Sequence, residues 1–240
     1  MVPTSLVSLL RKHQHDFYKV VDFDADREHI LHLDLTSGNT ALSPGLLSDT
    51  SLFASYINSC LMERKCRYAT GGYGELREMY ARSALFNGRE YKGDSRNDKE
   101  PRRLHLGIDI WGEVGTPVYA FTGGMVHSFA FNDAFGDYGA TLILCHQLEG
   151  VPFYTLYGHI QLADISSITA GQYVNRAQLI AHFGNTQENG QWPPHLHFQV
   201  IADLEGMEGD YPGVCKLSEK EKYLFNCPDP DLILQLNRFL

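Results

Sequence analysis

The second half of the chain consists of short apolar runs that are separated by glycine and polar residues. Runs of this length and spacing are typical of strands in a mainly antiparallel β-architecture. We therefore predict a protein of the α+β class with a β-rich domain over residues 101–205. The predicted strands span residues 104–111, 117–121, 125–131, 140–146, 153–159, 179–183 and 195–201.

The first hundred residues mix helical and strand patterns. Ser48-Asp49 can cap a helix that runs to about Lys65, with Leu52 and Phe53 among the residues of its apolar face. The glycine-rich stretch 68–75 predicts a loop that leads into a helical stretch. A short N-terminal helix ending near residue 13 and strands over 18–23 and 29–35 complete the predicted elements.

Charge density marks the boundary between these two parts. Residues 87–103 carry many charged side chains and few large apolar ones before Leu104, which is typical of a solvated connection. We predict an N-terminal α/β segment over residues 1–100, which could cover a cleft in the β-rich domain. Residues 206–240 form a tail whose final helix begins at Asp229-Pro230.

Composition narrows the functional classes. The 240 residues carry a formal charge of −9, which disfavours a nucleic-acid partner and gives no attraction to an anionic membrane. Five cysteines without a C-x-x-C pair argue against a disulfide framework. The chain has no run apolar enough to span a membrane and no convincing signal peptide. We expect a cytoplasmic protein as the sequence stands, or a periplasmic or secreted one if an export signal has been removed.

Two histidines on one predicted strand have the spacing of metal ligands. His195 and His197 point to the same face because side chains alternate along a strand, and their Cα atoms lie roughly 6.5 Å apart. Both imidazoles can therefore reach one small centre. This spacing does not decide which of the two binds a metal.

His105 and Asp109 add a carboxylate and a third imidazole. Four residues of straight strand would separate their Cα atoms by about 13 Å, too far for one ion, so the chain must bend. Gly107 is the residue that allows a bend there. Two imidazoles and one carboxylate leave the fourth position of a tetrahedral zinc open, which is typical of a catalytic site. The pattern therefore predicts hydrolysis.

A further histidine, His159, ends the aromatic run Tyr154-Thr155-Leu156-Tyr157-Gly158. The order His105…Asp109, His159, His195-Leu196-His197 resembles the lysostaphin-type (LytM-like) zinc metallopeptidases, which cut peptide bonds in bacterial peptidoglycan. The resemblance covers roughly residues 101–203 and includes Gly115-Thr116-Pro117-Val118 and Gly124-Met125-Val126. It implies a metallopeptidase domain with a fold like the duplicated hybrid motif.

The resemblance also implies a role for each residue. His105, Asp109 and His197 would hold Zn²⁺, while His159 and His195 would be the unliganded catalytic pair. His195 would take a proton from water, and His159 would donate a hydrogen bond to the oxyanion of the intermediate. The expected substrate is a peptide or a peptidoglycan fragment. Two alternatives remain open: a non-catalytic binding module, and a latent enzyme whose N-terminal segment fills the cleft.

Other residues have weaker patterns. His127, His146 and His182 lie in strand-like runs and are predicted to be hydrogen-bonded structural histidines. The loops 132–139 and 187–192 are predicted to form the walls of the cleft. Phe135, Tyr138 and Trp192 in these loops could face a substrate, although packing within the loops is an equally good interpretation.

Overall fold

The computed structural model describes residues 3–88 and 100–240. The helices are α1 Pro3–Lys12, α2 Pro44–Ser48, α3 Thr50–Arg64, α4 Leu162–Ile165, α5 Lys220–Asn226 and α6 Asp231–Leu234. The strands are β1 Ile30–His32, β2 Tyr68–Gly71, β3 Arg102–His105, β4 Ile108–Trp111, β5 Pro117–Tyr119, β6 Gly124–Asn132, β7 Gly139–Leu148, β8 Val151–Ile160, β9 Tyr173–Val174, β10 Leu179–His182, β11 His195–Ile201 and β12 Val214–Lys216. Short 3-10 helices include Glu78–Arg82 and Ala84–Phe86.

One large sheet organises the molecule. Its eight strands lie in the order β1-β2-β4-β11-β8-β7-β6-β9, and every pair is antiparallel except β1–β2. Two smaller pairs, β5 with β10 and β3 with β12, flank it. The α+β class and the mainly antiparallel architecture are therefore confirmed, and β4, β11 and β8 lie side by side where the candidate site residues occur.

The N-terminal part joins this sheet in a way that differs from the sequence prediction. The stretch predicted as a loop from residue 68 begins as β2, whose four residues are all buried and which pairs with β4. The predicted strand over residues 18–23 contributes only an isolated bridge from Val21 to Val118. Local pattern could not show that β4 has an open edge, and this edge determines which segment becomes a strand.

Helix α3 follows the prediction more closely. The Asp49 side chain accepts hydrogen bonds from the Ser51 and Leu52 amides, which caps the helix as expected. Phe53 packs against Trp111 of β4 with a ring distance of 5.8 Å. Leu52, however, is 55% exposed, because only the stripe of Phe53, Ile57 and Leu61 faces the sheet.

The remaining predictions concern the connection and the tail. Of the predicted charged connection 87–103, residues 89–99 lie outside the described part of the chain. The final helix begins at Asp231 rather than Pro230, and the Asp229 carboxylate accepts a hydrogen bond from the Asp231 amide. The described parts of the chain contain no helix that is long and apolar enough to cross a membrane.

Candidate metal centre

Strand pairing brings the predicted ligands together. His197 of β11 lies directly opposite Asp109 of β4, and His195 lies opposite Trp111. The chain turns sharply between β3 and β4, so that His105 at the end of β3 reaches back over Asp109. His105 Nε2 lies 3.2 Å from Asp109 Oδ1, and His197 Nδ1 lies 3.0 Å from the same oxygen. The predicted bend therefore brings three side chains to one point.

Gly107 makes this approach possible through the space that it leaves open. A Cβ at this position would lie 2.6 Å from two atoms of the His197 ring and 2.8 Å from the Phe198 carbonyl oxygen. Gly107 is not among the glycines with positive φ. The glycine is needed because an imidazole and a backbone oxygen pass against its Cα, and not because the backbone takes a left-handed conformation.

The hydrogen bonds around the ligands determine which ring nitrogens carry protons. His105 Nδ1 lies 3.1 Å from the carbonyl oxygen of Gly72, which can only accept, so this nitrogen is the donor. His105 Nε2 therefore presents a lone pair. It faces His197 Nδ1 at 3.0 Å.

Gln199 determines the tautomer of His197 in the same way. The amide nitrogen of Gln199 donates to the Pro212 carbonyl at 3.1 Å, which directs its Oε1 toward His197. His197 Nε2 donates to that oxygen at 2.9 Å, and Nδ1 is left as an acceptor. Two imidazole lone pairs and one carboxylate oxygen thus converge without a proton between them, which is the donor set of a metal site.

Among the described residues, one group of acidic, histidine or cysteine side chains has ligand atoms close enough together to hold an ion. Its members are His105, Asp109 and His197, whose ligand atoms lie within 4.8 Å of one another. Nearest-neighbour separations of 3.0–3.2 Å are close to those expected around a tetrahedral ion with bonds of about 2.0–2.1 Å. The donor set therefore fits zinc.

His195 and His159 stand beside this group with their free nitrogens unprotonated. His195 Nδ1 donates to the Pro193 carbonyl and His159 Nδ1 to the Asn189 carbonyl, both at 2.8 Å. The rings of the two histidines are 4.1 Å apart. Trp111 stacks on His195 at 4.0 Å and fixes the plane of that ring. Both histidines can therefore accept a proton at Nε2.

The backbone at His159 is unusual for a residue with a side chain. Its φ is +64°, in the left-handed region that non-glycine residues seldom adopt. The pairing of β7 with β8 shifts register here, because Ala140 and Leu142 oppose Ile160 and Tyr157, which leaves one extra residue in β8. Such a bulge redirects a side chain, and bulges and left-handed residues concentrate at functional sites.

All five predicted site residues are buried, with exposures between 0% and 6%. Burial lowers the pKa of His105 to about 4, with the nearby Arg77 cation as a further cause. Burial also lowers the pKa of His195 to about 4. For Asp109, burial alone would raise the pKa, but the buried Arg77 cation beside its Oδ2 holds it well below the usual value. His105 and His195 are thus neutral near pH 7 beside an ionised carboxylate.

Arg77 is a site neighbour that sequence analysis missed. Its side chain is completely buried and forms ion pairs with Asp109 and Glu75. Nothing in the local pattern separates it from other arginines, because its partner Asp109 lies 32 positions along the chain. Gln199 was also missed, although strand alternation places it on the same face as His197; only its contact with Pro212 depends on a distant segment.

A cavity of about 60 Å³ adjoins four of the five residues, namely Asp109, His159, His195 and His197. One water needs about 10–15 Å³ by this measure, so the cavity holds a few waters and no peptide. The two 3-10 helices over 78–86 form one of its walls, with Tyr80 and Phe86 lining it. Trp192 and Tyr138 line it from the two predicted loops, whereas Phe135 is 39% exposed and packs under Arg82.

Hydrogen-bond partners surround the three histidines that were predicted to be structural. His146 is buried and bonds to the Gly123 carbonyl and the Thr155 hydroxyl. His127 bonds to Ser128, and His182 pairs with Asp164. The prediction that these three are hydrogen-bonded structural histidines is in accord with these contacts.

Comparison with known proteins gives a family for the β-rich region. Residues 103–208 match the model of peptidase family M23. The peptidoglycan DD-endopeptidase ShyA of Vibrio cholerae is 29% identical over 152 residues, which cover 58% of this chain and 33% of that protein. The L-Ala–D-Glu endopeptidase of Bacillus subtilis is 27% identical over 127 residues, covering 51% of this chain and 37% of that protein. The chain thus matches about a third of the length of these relatives.

Solved structures also align with the chain. The catalytic domain of lysostaphin from Staphylococcus simulans aligns with a TM-score of 0.37 at 20% identity, covering 70% of this chain and 97% of that one. A zinc-containing peptidase from Vibrio cholerae aligns with a TM-score of 0.33 at 29% identity, covering 48% of this chain and 30% of that one.

Proposed function

We propose that this chain is a zinc-dependent metalloendopeptidase. The match of residues 103–208 to peptidase family M23 supports this proposal. The observation that supports this most directly is the convergence of three acceptor atoms on one point. His105 Nε2, His197 Nδ1 and Asp109 Oδ1 face one another with no proton available to join them. Lone pairs in this arrangement repel one another unless a cation lies between them.

The three converging residues would hold the zinc. When bound, zinc supplies Lewis acidity, which polarises an amide carbonyl and makes water a stronger nucleophile near neutral pH. Each ligand is kept in orientation by a second contact: His105 by the Gly72 carbonyl, His197 by Gln199 and Asp109 by Arg77. Such outer contacts are a regular part of metal sites in proteins.

His195 is the general base in this proposal. Its Nε2 lies 3.9 Å from Asp109 Oδ1, on the cavity side of the ligand group, and carries no proton while Nδ1 donates to Pro193. A nitrogen in this state can take the proton of an attacking water. The stacked Trp111 ring keeps the imidazole in the plane that this transfer requires.

His159 takes part on the other side of the cavity. Because its Nδ1 donates to the Asn189 carbonyl, its Nε2 can accept a proton first and donate one only afterwards. His159 would therefore stabilise the oxyanion or protonate the leaving amine after it has received a proton, and it would not act as a donor in the resting state. Its ring distance of 4.1 Å from His195 supports a role of both histidines at the same reacting group.

The proposed substrate is a peptide of the peptidoglycan type. The two curated relatives are named for endopeptidase activity, one on peptidoglycan and one on the L-Ala–D-Glu bond. A wall substrate would place the chain in the periplasm or outside the cell, and a small soluble peptide would place it inside. Muropeptides that contain D,D and L-Ala–D-Glu bonds are thus the first substrates to test.

The test measures zinc content and cleavage together. We expect one zinc per chain in the wild type, none in His105→Ala, and wild-type content in His195→Ala. Cleavage of muropeptides should be lost in His105→Ala and should fall about 10²–10⁴-fold in His195→Ala, because only the latter keeps the metal while it lacks the base. A wild-type chain that binds no zinc in zinc-supplemented medium would contradict the proposal, as would full activity of His195→Ala.

A latent form of the same enzyme is a second candidate, and burial of the site favours it. The segment over residues 78–86 forms one wall of a cavity whose volume holds only a few waters. In this candidate a peptide enters after the segment moves. Zinc content at one equivalent without cleavage of any muropeptide would support this second candidate.

A further inference from the structure

The two oxygens of Asp109 have different partners. Oδ1 faces the nitrogens of His105 and His197 at 3.2 and 3.0 Å. Oδ2 accepts a hydrogen bond from Arg77 Nη1 on the opposite side of the carboxylate. One oxygen is therefore directed to the proposed metal position, and the other is already occupied by a guanidinium group.

The arginine is itself held in place. Its Nε donates to Glu75 Oε2 at 2.6 Å, and its side chain is 0% exposed. Its backbone amide donates to the Arg103 carbonyl, and the Glu75 carbonyl accepts from the His105 amide, so the segment runs along β3. Gly71 leaves room for the guanidinium, since a Cβ there would lie 2.4 Å from Arg77 Nη2.

This arrangement has a consequence for metal binding. A carboxylate with both oxygens free can bind a cation through one oxygen or through both, and it can rotate between these states. Arg77 restricts that choice because its Nη1 occupies Oδ2, and the guanidinium is itself held in place by Glu75. It also balances the negative charge of a carboxylate that is only 2% exposed.

We propose that Arg77 is a positioning residue of the metal centre: it occupies Asp109 Oδ2 so that Asp109 binds zinc through Oδ1 alone. The inference rests on the proposed function, since it concerns the same metal. Arg77 lies outside residues 103–208, so the functional centre extends into the N-terminal part of the chain, beyond the region that matches the family. The N-terminal part then completes the site in addition to covering it.

The experiment measures metal affinity in the full chain. Zinc Kd is determined by competition with a chromophoric chelator for the wild type, Arg77→Met and Arg77→Lys. We expect Kd to rise about 10–100-fold in Arg77→Met, as is usual when an outer contact of a ligand is lost. Arg77→Lys keeps the charge without the planar fork, so a smaller rise is expected. Arg67→Met, which changes another arginine of the N-terminal part, should leave Kd unchanged.

A second readout separates positioning from stability. Co²⁺ in place of zinc reports the number of ligand atoms through its visible absorption, which weakens when a fifth ligand atom binds. The bands should weaken in Arg77→Met, where Oδ2 is free to bind. A role in stability alone would lower the Tm of the metal-free protein and leave both Kd and the Co²⁺ spectrum as in the wild type.

Variants that fold poorly do not prevent the test. Gly71→Ala retains every charged group and displaces Arg77 through the added Cβ, so it should also raise Kd. Zinc Kd within twofold of the wild type in a folded Arg77→Lys and in Gly71→Ala would overturn the inference while the proposed function stood. A wild type that binds no zinc would overturn both.

Discussion

Two regions contribute to the proposed metal centre by different means. Residues 103–208 supply the five histidine and aspartate side chains. Four of them lie on the adjacent strands β4, β11 and β8, and His105 lies at the end of β3. They were identified from their spacing together with the resemblance to the zinc metallopeptidases. Residues 68–86 supply a strand at the edge of the sheet, the cation beside Asp109 and one wall of the cavity. The choice of metal-binding residues depends on short spacings along the chain. The charge balance of the site and access to its cavity depend instead on contacts between distant segments.

Removal of the metal is the strongest test of whether these regions act together. A zinc concentration 1,000-fold above Kd stabilises the folded state by about 4 kcal/mol. We expect chelation to lower the free energy of unfolding by about this amount in the wild type and to have no effect in His105→Ala. Urea denaturation with and without chelator measures the change.

Hydrogen exchange shows where that stabilisation acts. The Gly72 carbonyl accepts from His105, and β2 pairs with β4, which carries Asp109. Amides of residues 68–71 should therefore exchange faster after chelation, together with those of 108–111. If only residues 103–208 lost protection, the two regions would be independent, and residues 68–86 would not share in the stabilisation by the metal.

A smaller effect on the free energy of unfolding is expected from His146, which lies outside the site. Burial lowers the pKa of His146 to about 4 from an ordinary value of 6.5. The unfolded chain therefore binds the proton first as pH falls, so stability is complete above about pH 6.5 and is lost progressively down to about pH 4. The full contribution is about 3–4 kcal/mol, at about 1.4 kcal/mol for each pKa unit.

The variant His146→Gln tests this assignment because glutamine keeps hydrogen-bonding groups and does not titrate. Its free energy of unfolding should depend less steeply on pH than that of the wild type between pH 6.5 and pH 4. Zinc content at neutral pH should be unchanged, since His146 bonds to Gly123 and Thr155 and not to a ligand. Parallel pH profiles would show that His146 does not contribute this pH dependence.

Particular residues show how far the sequence could be interpreted. His195-Leu196-His197 and His105…Asp109 depend on strand alternation and one bend, which are local properties, and the structure brings them together. β2 was predicted as a loop because four residues with a glycine at the end have no distinctive pattern, and only pairing with β4 makes them a strand. Arg77 could not be predicted, because its partner Asp109 lies in a distant segment. Gln199 lies on the same strand face as His197, and only its orientation by Pro212 depends on a distant segment.

The smallest expected effect concerns access to the cavity. The guanidinium of Arg82 lies between the rings of Phe135 and Trp192, with distances of 4.9 and 4.8 Å to their centroids, and its Nη2 donates to Thr50. It thus links the segment over residues 78–86 to both loops that wall the cleft. Such contacts contribute about 1–2 kcal/mol where water is partly excluded.

Loosening this link should therefore open the site more often. We expect Arg82→Ala to raise kcat/KM on muropeptides by up to about tenfold, because a change of about 1.4 kcal/mol alters the population of an open state tenfold. The zinc Kd should be unchanged, because Arg77 remains. Arg176→Ala, which removes a similar contact on Tyr18 far from the cleft, is the matched control. An unchanged or lower kcat/KM in Arg82→Ala would mean that residues 78–86 support the active site without limiting access to it. The N-terminal part would then contribute the charge of Arg77 to the site and would not act as a cover over the cavity.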